Sequence, residues 1–378
     1  MPRHKPARLP HYPLRLACPA NAPYRRSSRG AASWVAEPAG AKPGRARNGG
    51  PIGRISMTDK VKFGVRLTVQ GEMGATSSGF EYALEMARVA EDLGFDSVWI
   101  PDHLENAHLD RSKPILEYWT VMTAIGALTK RVRLGGHSIN NTFRHPGLTT
   151  KIACTLDHIT GGRVILAPGS GWFAAEAKSY GFDEWSDDGL ERIARLDECL
   201  AIYRGLIECD DPKGFSFDGR FYQLKDAFCQ PKPPQKPYPP IWIAGDSPPT
   251  QELMKKHGDV WFMYSKAPAV VKGLVDGMKA ELTDRPFEVA ISAVGLADKG
   301  PEETLKWAEM YAEERKHRFP IPPTVDDVME SNLIGDVAQV RDRIDQWIDA
   351  GVNHIVFQPM PPMEGTRFFG EKIIHHYM

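Results

Sequence analysis

ILAPGSGWFAAE, residues 165–176, begins as a β-strand and ends as a helix. At the handover it places Gly169, Ser170 and Gly171, followed by the large indole of Trp172. A β-rich run that passes through small residues into a helix is half of a strand–helix–strand unit. Its strands lie parallel, because the helix carries the chain back to the start of the next strand. Whether this unit stands alone or repeats decides the fold.

Outward from residue 165 it repeats. Short β-rich runs occur at KFGVRLTV (62–69), DSVWIPD (96–102), RVRLGGHSI (131–139), RVILAPGS (163–170), PIWIAGDS (240–247), DVWFMYSK (259–266), FEVAISAVGLA (287–297) and HIVFQPMP (354–361). Helical segments separate them; FEYALEMARVAEDLG has apolar residues at three-and-four spacing and closes on Gly94. Eight such units over about 320 residues predict an α/β fold, a (β/α)8 TIM barrel with insertions. A doubly wound open sheet is the alternative, but no GxGxxG follows the first strand. One insertion, FSFDGRFYQLKDAFCQPKPPQKPYPP (215–240), predicts a hairpin turning at Asp218-Gly219 and then an extended proline-rich connector. The stretch 312–335, containing ERKHRFPIPP, predicts an irregular lid or binding loop.

Charge divides the chain. Residues 1–56 hold eleven Lys and Arg against one acid, Glu37; with a total of −1, residues 57–378 carry −11. The first segment, rich in Pro, Gly, Ala and Arg, has no periodic apolar face and is expected to be a disordered basic extension to a domain spanning 57–378. It reads either as a transit segment or as a translation start set too far upstream; Met57, followed at once by a polar lead-in and a clean strand, favours the second. An anionic domain argues against nucleic acid as a partner. No apolar run is long enough to span a membrane. Five scattered cysteines show no metal-ligand or disulfide spacing, so no metal is expected and a reducing, cytoplasmic location is.

In a (β/α)8 barrel the chemistry sits in the loops after the C-terminal strand ends. Those positions hold Asp102 and His103; Asn140, Asn141, Thr142, Arg144 and His145; the Gly169-Ser170-Gly171-Trp172 turn; Gly245-Asp246-Ser247; Tyr264, Ser265 and Lys266; and Gln358 and Met360. The GSG and GDS turns each offer a hydroxyl and bare backbone ahead of a helix N-terminus, where partial positive charge favours a phosphate. Singly, each feature has an ordinary explanation: a turn, an N-cap, a structural histidine, a solvated arginine at 192. Two such cups on one rim point to a phosphorylated cofactor.

With these residues assembled, the chain resembles the bacterial luciferase-like family of flavin- and deazaflavin-dependent oxidoreductases. The resemblance spans about residues 61–376, through LGFDSVWIPDHL, NTFRHPGLTTKIACTLDHITGGRVILAPGSGW, FSFDGRFYQLKDAFCQPKPPQKPYPPIWIAGDS and GDVAQVRDRIDQWIDAGVNHIVF. The later blocks look most like two-component monooxygenases, which implies reduced FMN from a separate flavin reductase, molecular oxygen and a small organic substrate. It implies cofactor contacts from Asp102, His103, Ala167, Glu176, Arg192 and Ser247. Ser170, Arg192 and Ser247 would stand at the phosphate; Asn141, Gly171 and Trp172 on the same rim complete the expected cofactor set. His103 is the expected acid/base, with Asp102 beside it, although neighbours on a strand point to opposite sides. The resemblance also implies an apolar mouth, here Trp99, Trp172, Phe173, Phe262 and Tyr264, that would keep the site dry. The PDHL and GVNHIVF blocks also resemble the coenzyme F-420 branch, which implies hydride transfer instead. That branch often has Glu where this chain has Trp172. A barrel that binds flavin without turnover is a third reading, and relatives commonly form homodimers or homotetramers.

Overall fold

Strand-forming Val, Ile, Phe and Trp dominate the eight runs, and each helix between them begins with Pro, Gly, Asp or Glu near its N-terminus. The computed structural model describes residues 60–69, 79–107, 110–297, 299–316 and 322–378. The expectations for residues 1–56 lie outside that set. Strands β1 (Lys62–Arg66), β2 (Ser97–Ile100) and β3 (Arg133–Gly136) are followed by a fourth segment at 164–166, then β5 (Trp242–Ala244), β6 (Val260–Tyr264), β7 (Glu288–Ala297) and β8 (His354–Pro359). Helices α1 (Phe80–Asp92), α2 (Tyr118–Leu128), α3 (Pro146–Thr160), α4 (Ala174–Ser179), α5 (Gly189–Glu208), α6 (Pro248–His257), α7 (Pro268–Glu281), α8 (Pro301–Arg315), α9 (Val325–Glu330), α10 (Val337–Asp349) and α11 (Pro362–Phe368) interleave with them.

All pairings in the main sheet are parallel, in the order β3-β2-β1-β8-β7-β6-β5. Residues 164–166 close the ring. The Ile165 amide donates to Leu134 O (2.9 Å) and the Leu166 amide to Pro240 O (3.0 Å), while Trp242 N donates to Leu166 O (2.7 Å). The predicted barrel is therefore present. Its interior is filled by Trp99, Ile165, Ala167, Trp242, Val260, Phe262, Ala290 and Val356, all buried. Trp99 lies 4.8 Å from Trp242 and 5.3 Å from Phe262 between ring centroids. A Cβ on Gly135 would sit 2.3 Å from the Trp99 ring, so only glycine lets the indole fill the barrel. Trp99 thus belongs to the packed interior, not to the mouth where the sequence suggested it.

Two further short sheets shape the rim. Residues 139–140 pair with 168–169, which sets Asn140 against Gly169. Phe215–Asp218 and Gln223–Ala227 form the antiparallel hairpin expected around Asp218-Gly219. The stretch 312–335 is more regular than expected: it contains the end of α8, α9 with its Thr324/Asp327 capping box, and a strand at Leu333–Gly335 beside β7. The Thr324 hydroxyl accepts from the Asp327 amide and the Asp327 carboxylate accepts from Thr324 N, a reciprocal pair that nucleates this short helix. Residues 317–321 lie outside the described set.

At the opposite, N-terminal end, Glu288 and His354 join β7 to β8 at 2.7 Å, with the His354 ring stacked edgewise on Trp242. The His354 hydrogen bond, and then its charge, hold the Glu288 carboxyl down at about 2, against its partial burial. A depressed carboxyl pKa stabilises the fold above the unfolded value near 4.5 and loses that contribution as pH falls towards 2. Glu288→Gln is therefore expected to lower unfolding free energy by on the order of 3 kcal/mol at pH 7. Urea titrations should show that gap narrowing below pH 4.5; a gap independent of pH would remove the ion pair as its cause.

Candidate active site

The C-terminal strand ends converge on a cleft of about 180 Å³, lined by Asp102, His103, His137, Ser138, Asn140, Gly169–Trp172, Ala244, Gly245 and Phe262–Tyr264. Asp102 and His103 follow β2, ahead of a bend at Leu104 and Glu105, and face different partners. The Asp102 carboxylate is fully buried and accepts from the two terminal guanidinium nitrogens of Arg144 (2.7 and 3.1 Å) and from the Asn140 amide (3.0 Å). Burial pushes this carboxyl up, while Arg144 and the Asn140 amide oppose that by favouring the charged form. Arg144 also reaches Glu117 at 2.7 Å, and the two carboxylates outweigh the effect of burial on its charge. Asp102 thus anchors the loop after β3 to the loop after β2, and its partner is Arg144, not His103.

His103 is held by a different acid. Its Nδ1 lies 2.9 Å from Glu176 Oε2. Glu176, wholly buried on α4, also accepts from the Leu104 (2.5 Å) and Glu105 (2.9 Å) amides. A carboxylate fixed by two backbone donors cannot swing, so the imidazole plane is fixed with it. Trp172 and Phe173 meet the His103 ring edgewise, at 5.7 and 6.2 Å. Glu176 therefore stands behind the histidine, away from the cleft lining, where the resemblance implied a cofactor contact.

The Gly169–Gly171 turn supplies the bare backbone that its composition promised. Gly171 has φ +77°, and a Cβ there would come within 3.0 Å of Asn140 Oδ1. A Cβ on Gly169 would collide with Ser138 Oγ at 2.2 Å. Arg192 reaches this turn from α5: Nε donates to Gly171 O (3.3 Å), Nη1 to Ser186 O (2.6 Å), and the guanidinium covers the Trp185 ring at 4.6 Å. The second cup is poorer in donors. Pro248 and Pro249 open α6 and carry no N–H, and the Gly245 amide is spent on Phe262 O. The Ser247 hydroxyl, at the exposed N-cap, pairs with Thr250 at 2.8 Å, while Asp246 is ion-paired to Lys266 at 2.6 Å.

Five of the ten expected contacts lie off the cleft lining: Glu176, Arg192 and Ser247, placed above, and Ala167 and Asn141. Ala167 is buried in the barrel interior. Asn141 is buried against α5, with Nδ2 3.8 Å from Cys199 Sγ and no hydrogen bond to its Oδ1. Two others were not anticipated. His137 and Ser138 sit inside a run that reads as plain strand, yet the chain leaves β3 at Gly136, and the cis His137–Ser138 peptide lies on the cleft wall. The His137 ring packs edgewise on Phe262 (5.0 Å) and Tyr264 (5.7 Å). Burial, then the charges of Arg66 and His103, push it down to about 3, so it is neutral at physiological pH. Trp172 and Tyr264, 52% and 60% exposed, stand at the mouth as the sequence suggested.

Comparison with known proteins bears on the fold and the family. The chain is 30% identical over 335 residues to an F420-dependent glucose-6-phosphate dehydrogenase of Amycolatopsis mediterranei (strain U-32), covering 82% of this chain and 98% of that one. It is 27% identical to an FMNH(2)-dependent dimethylsulfone monooxygenase of Pseudomonas putida, covering 79% and 84%. Among solved structures, an F420-dependent secondary alcohol dehydrogenase in complex with an F420-acetone adduct has the same fold at a TM-score of 0.71 and 23% identity, covering 83% of this chain and 98% of that one. A long-chain alkane monooxygenase matches at 0.67 and 16%, covering 85% and 91%. With residues 61–354 matching the model described as luciferase-like monooxygenase, the chain is an oxidoreductase belonging to that family.

Proposed function

We propose that this chain is a coenzyme F-420-dependent oxidoreductase that moves a hydride between the deazaflavin and the carbon of a small alcohol or carbonyl compound. The observation that carries the reading is the His103–Glu176 pair at the cleft: a histidine whose Nδ1 is fixed by a buried carboxylate. Alcohol–carbonyl interconversion needs one proton moved for each hydride, and a positioned imidazole supplies that step near neutral pH. The F420-dependent dehydrogenases among the relatives support the same choice. The residues fit a phosphorylated cofactor. Ser138 and Asn140 pack directly against Gly169 and Gly171, which keeps the turn free of side chains, and Arg192 and Ser170 bring a charge and a hydroxyl beside it.

When bound, the deazaflavin would supply the hydride chemistry. His103 would take the hydroxyl proton, or return it in the reverse direction, while Glu176 keeps the ring in one orientation. The Asp102–Arg144 pair holds the two loops that carry His103 and Asn140 in register. Arg192, Ser170 and Ser247 would hold the phosphorylated end, and the Trp172 and Tyr264 rings would screen the mouth from water.

The reduced-FMN reading, with oxygen as co-substrate and a separate flavin reductase as partner, keeps support from the aromatic mouth and the dimethylsulfone monooxygenase relative. Anaerobic titration of purified protein with coenzyme F-420 and with reduced FMN, followed by fluorescence and absorbance, separates the two. Tighter binding of F-420 and its bleaching on addition of a secondary alcohol are expected. Binding of reduced FMN alone, with oxygen consumed on mixing, would overturn the proposal.

Two variants test the assigned roles. His103→Ala should lower turnover by about 10²–10⁴-fold while changing cofactor affinity far less; equal losses in both would reduce His103 to a binding contact. Arg192→Ala should weaken cofactor binding by about 1.5–3 kcal/mol, the scale of a hydrogen bond to a charged group. Calorimetry with F-420 checks this, and unchanged affinity would take Arg192 out of the site.

A further inference from the structure

Cys154 and Cys229 lie outside the chemistry above, 75 residues apart in sequence, with their sulfurs 3.7 Å from each other. Cys154 is on the buried face of α3, and Cys229 opens the proline-rich connector between the hairpin and β5; neither is in a disulfide. The connector is laced along α3 by polar contacts at several points. Lys151 Nζ donates to Gln230 O, the His158 ring meets Lys232 O at 2.7 Å, and Gln235 binds the buried Asp157 carboxylate through its backbone and side-chain nitrogens (3.2 and 2.7 Å). The two sulfurs are thus held together by a registered interface.

We propose that Cys154 and Cys229 form a peroxide-sensitive dithiol, oxidised to a reversible disulfide that staples the connector to α3. The inference does not depend on which cofactor the cleft takes. Cys229 is the attacking group. It lies between the exposed Phe228 and Gln230, near the Lys151 and Lys232 ammonium groups. The hydrogen bond shared with Cys154, and then those cations, lower the Cys229 thiol against its burial, while the same hydrogen bond and burial raise Cys154. The thiolate is the reactive form of a cysteine.

Hydrogen peroxide is the oxidant. The Cys229 sulfur attacks one peroxide oxygen, forming an S–O bond as O–O breaks and hydroxide leaves with a proton as water. Cys154 then attacks the Cys229 sulfur; the S–S bond forms, S–O breaks, and the Cys154 proton leaves with the hydroxyl as a second water. Two thiols lose two electrons and one peroxide becomes two waters. Closing 3.7 Å to a bond of about 2.05 Å requires a shift of about 1.7 Å at the first residue of an outer connector.

The test uses the full-length protein, treated with dilute hydrogen peroxide, quenched with an alkylating agent and digested without reductant. Expected is a single linked species joining the Cys154 and Cys229 peptides, about 2 Da lighter than their reduced sum, that dithiothreitol abolishes. The oxidised protein should also show a higher midpoint of thermal unfolding, because the link closes a long loop. Cys154→Ser should abolish the link and leave the Cys229 peptide as its sulfenic or sulfinic form. Both thiols alkylated after unfolding, with no linked peptide from wild-type protein, would overturn the proposal. So would over-oxidation of Cys229 in the wild type without a link.

Discussion

The structure depends on the closure of the β-barrel through residues 164–166. This fourth segment makes few ladder hydrogen bonds, yet those it makes join Leu134 on β3 to the start of β5 and so complete the ring. Without it the sheet would end at exposed edges on β3 and β5, and Ile165 and Ala167 would lose the Trp99–Trp242–Phe262 packing that buries them. Closure also decides what the next residues can do. Because the chain leaves the ring at Ala167, the Pro168–Gly169 pairing with Ile139–Asn140 follows, and the glycine turn arrives beside Asn140 with nowhere else to go. Fold and site are thereby the same set of hydrogen bonds read at two heights.

Much of the architecture was legible in the sequence because it rests on periodicity. Eight apolar runs separated by amphipathic helices specify parallel crossovers whatever the details of each strand, and the Asp218-Gly219 turn announces its hairpin through local chemistry. The GSG turn was legible for the same local reason. What could not be read were pairings set by distant parts of the chain. Adjacent Asp102 and His103 invite a shared role, but the former belongs to Arg144, 42 positions later, and the latter to Glu176, 73 positions later. Glu176 lies in an unremarkable alanine-rich helix; only the convergence of the Leu104 and Glu105 amides on its carboxylate reveals that it serves the loop after β2.

His137 was hidden for a related reason. RVRL at the head of RVRLGGHSI alternates as a strand should, and the rest reads as its continuation, although the ladder stops at Gly136 and the next residues turn onto the cleft wall. The GDS cup shows the converse. Its sequence matches an anion site, while the two prolines and the hydrogen bond of Gly245 to Phe262 leave it with fewer donors than the motif promises. Composition indicates where backbone is bare, and only the three-dimensional ladder tells which of its amides are already in use.

Glu176 carries one more implication. It sits five residues beyond Gly171, on the short helix that the glycine turn launches. The strut behind the imidazole and the seat offered to an anion are therefore one continuous piece of covalent chain. Any displacement of the turn has only five residues of chain in which to be absorbed before it reaches the carboxylate that fixes the imidazole.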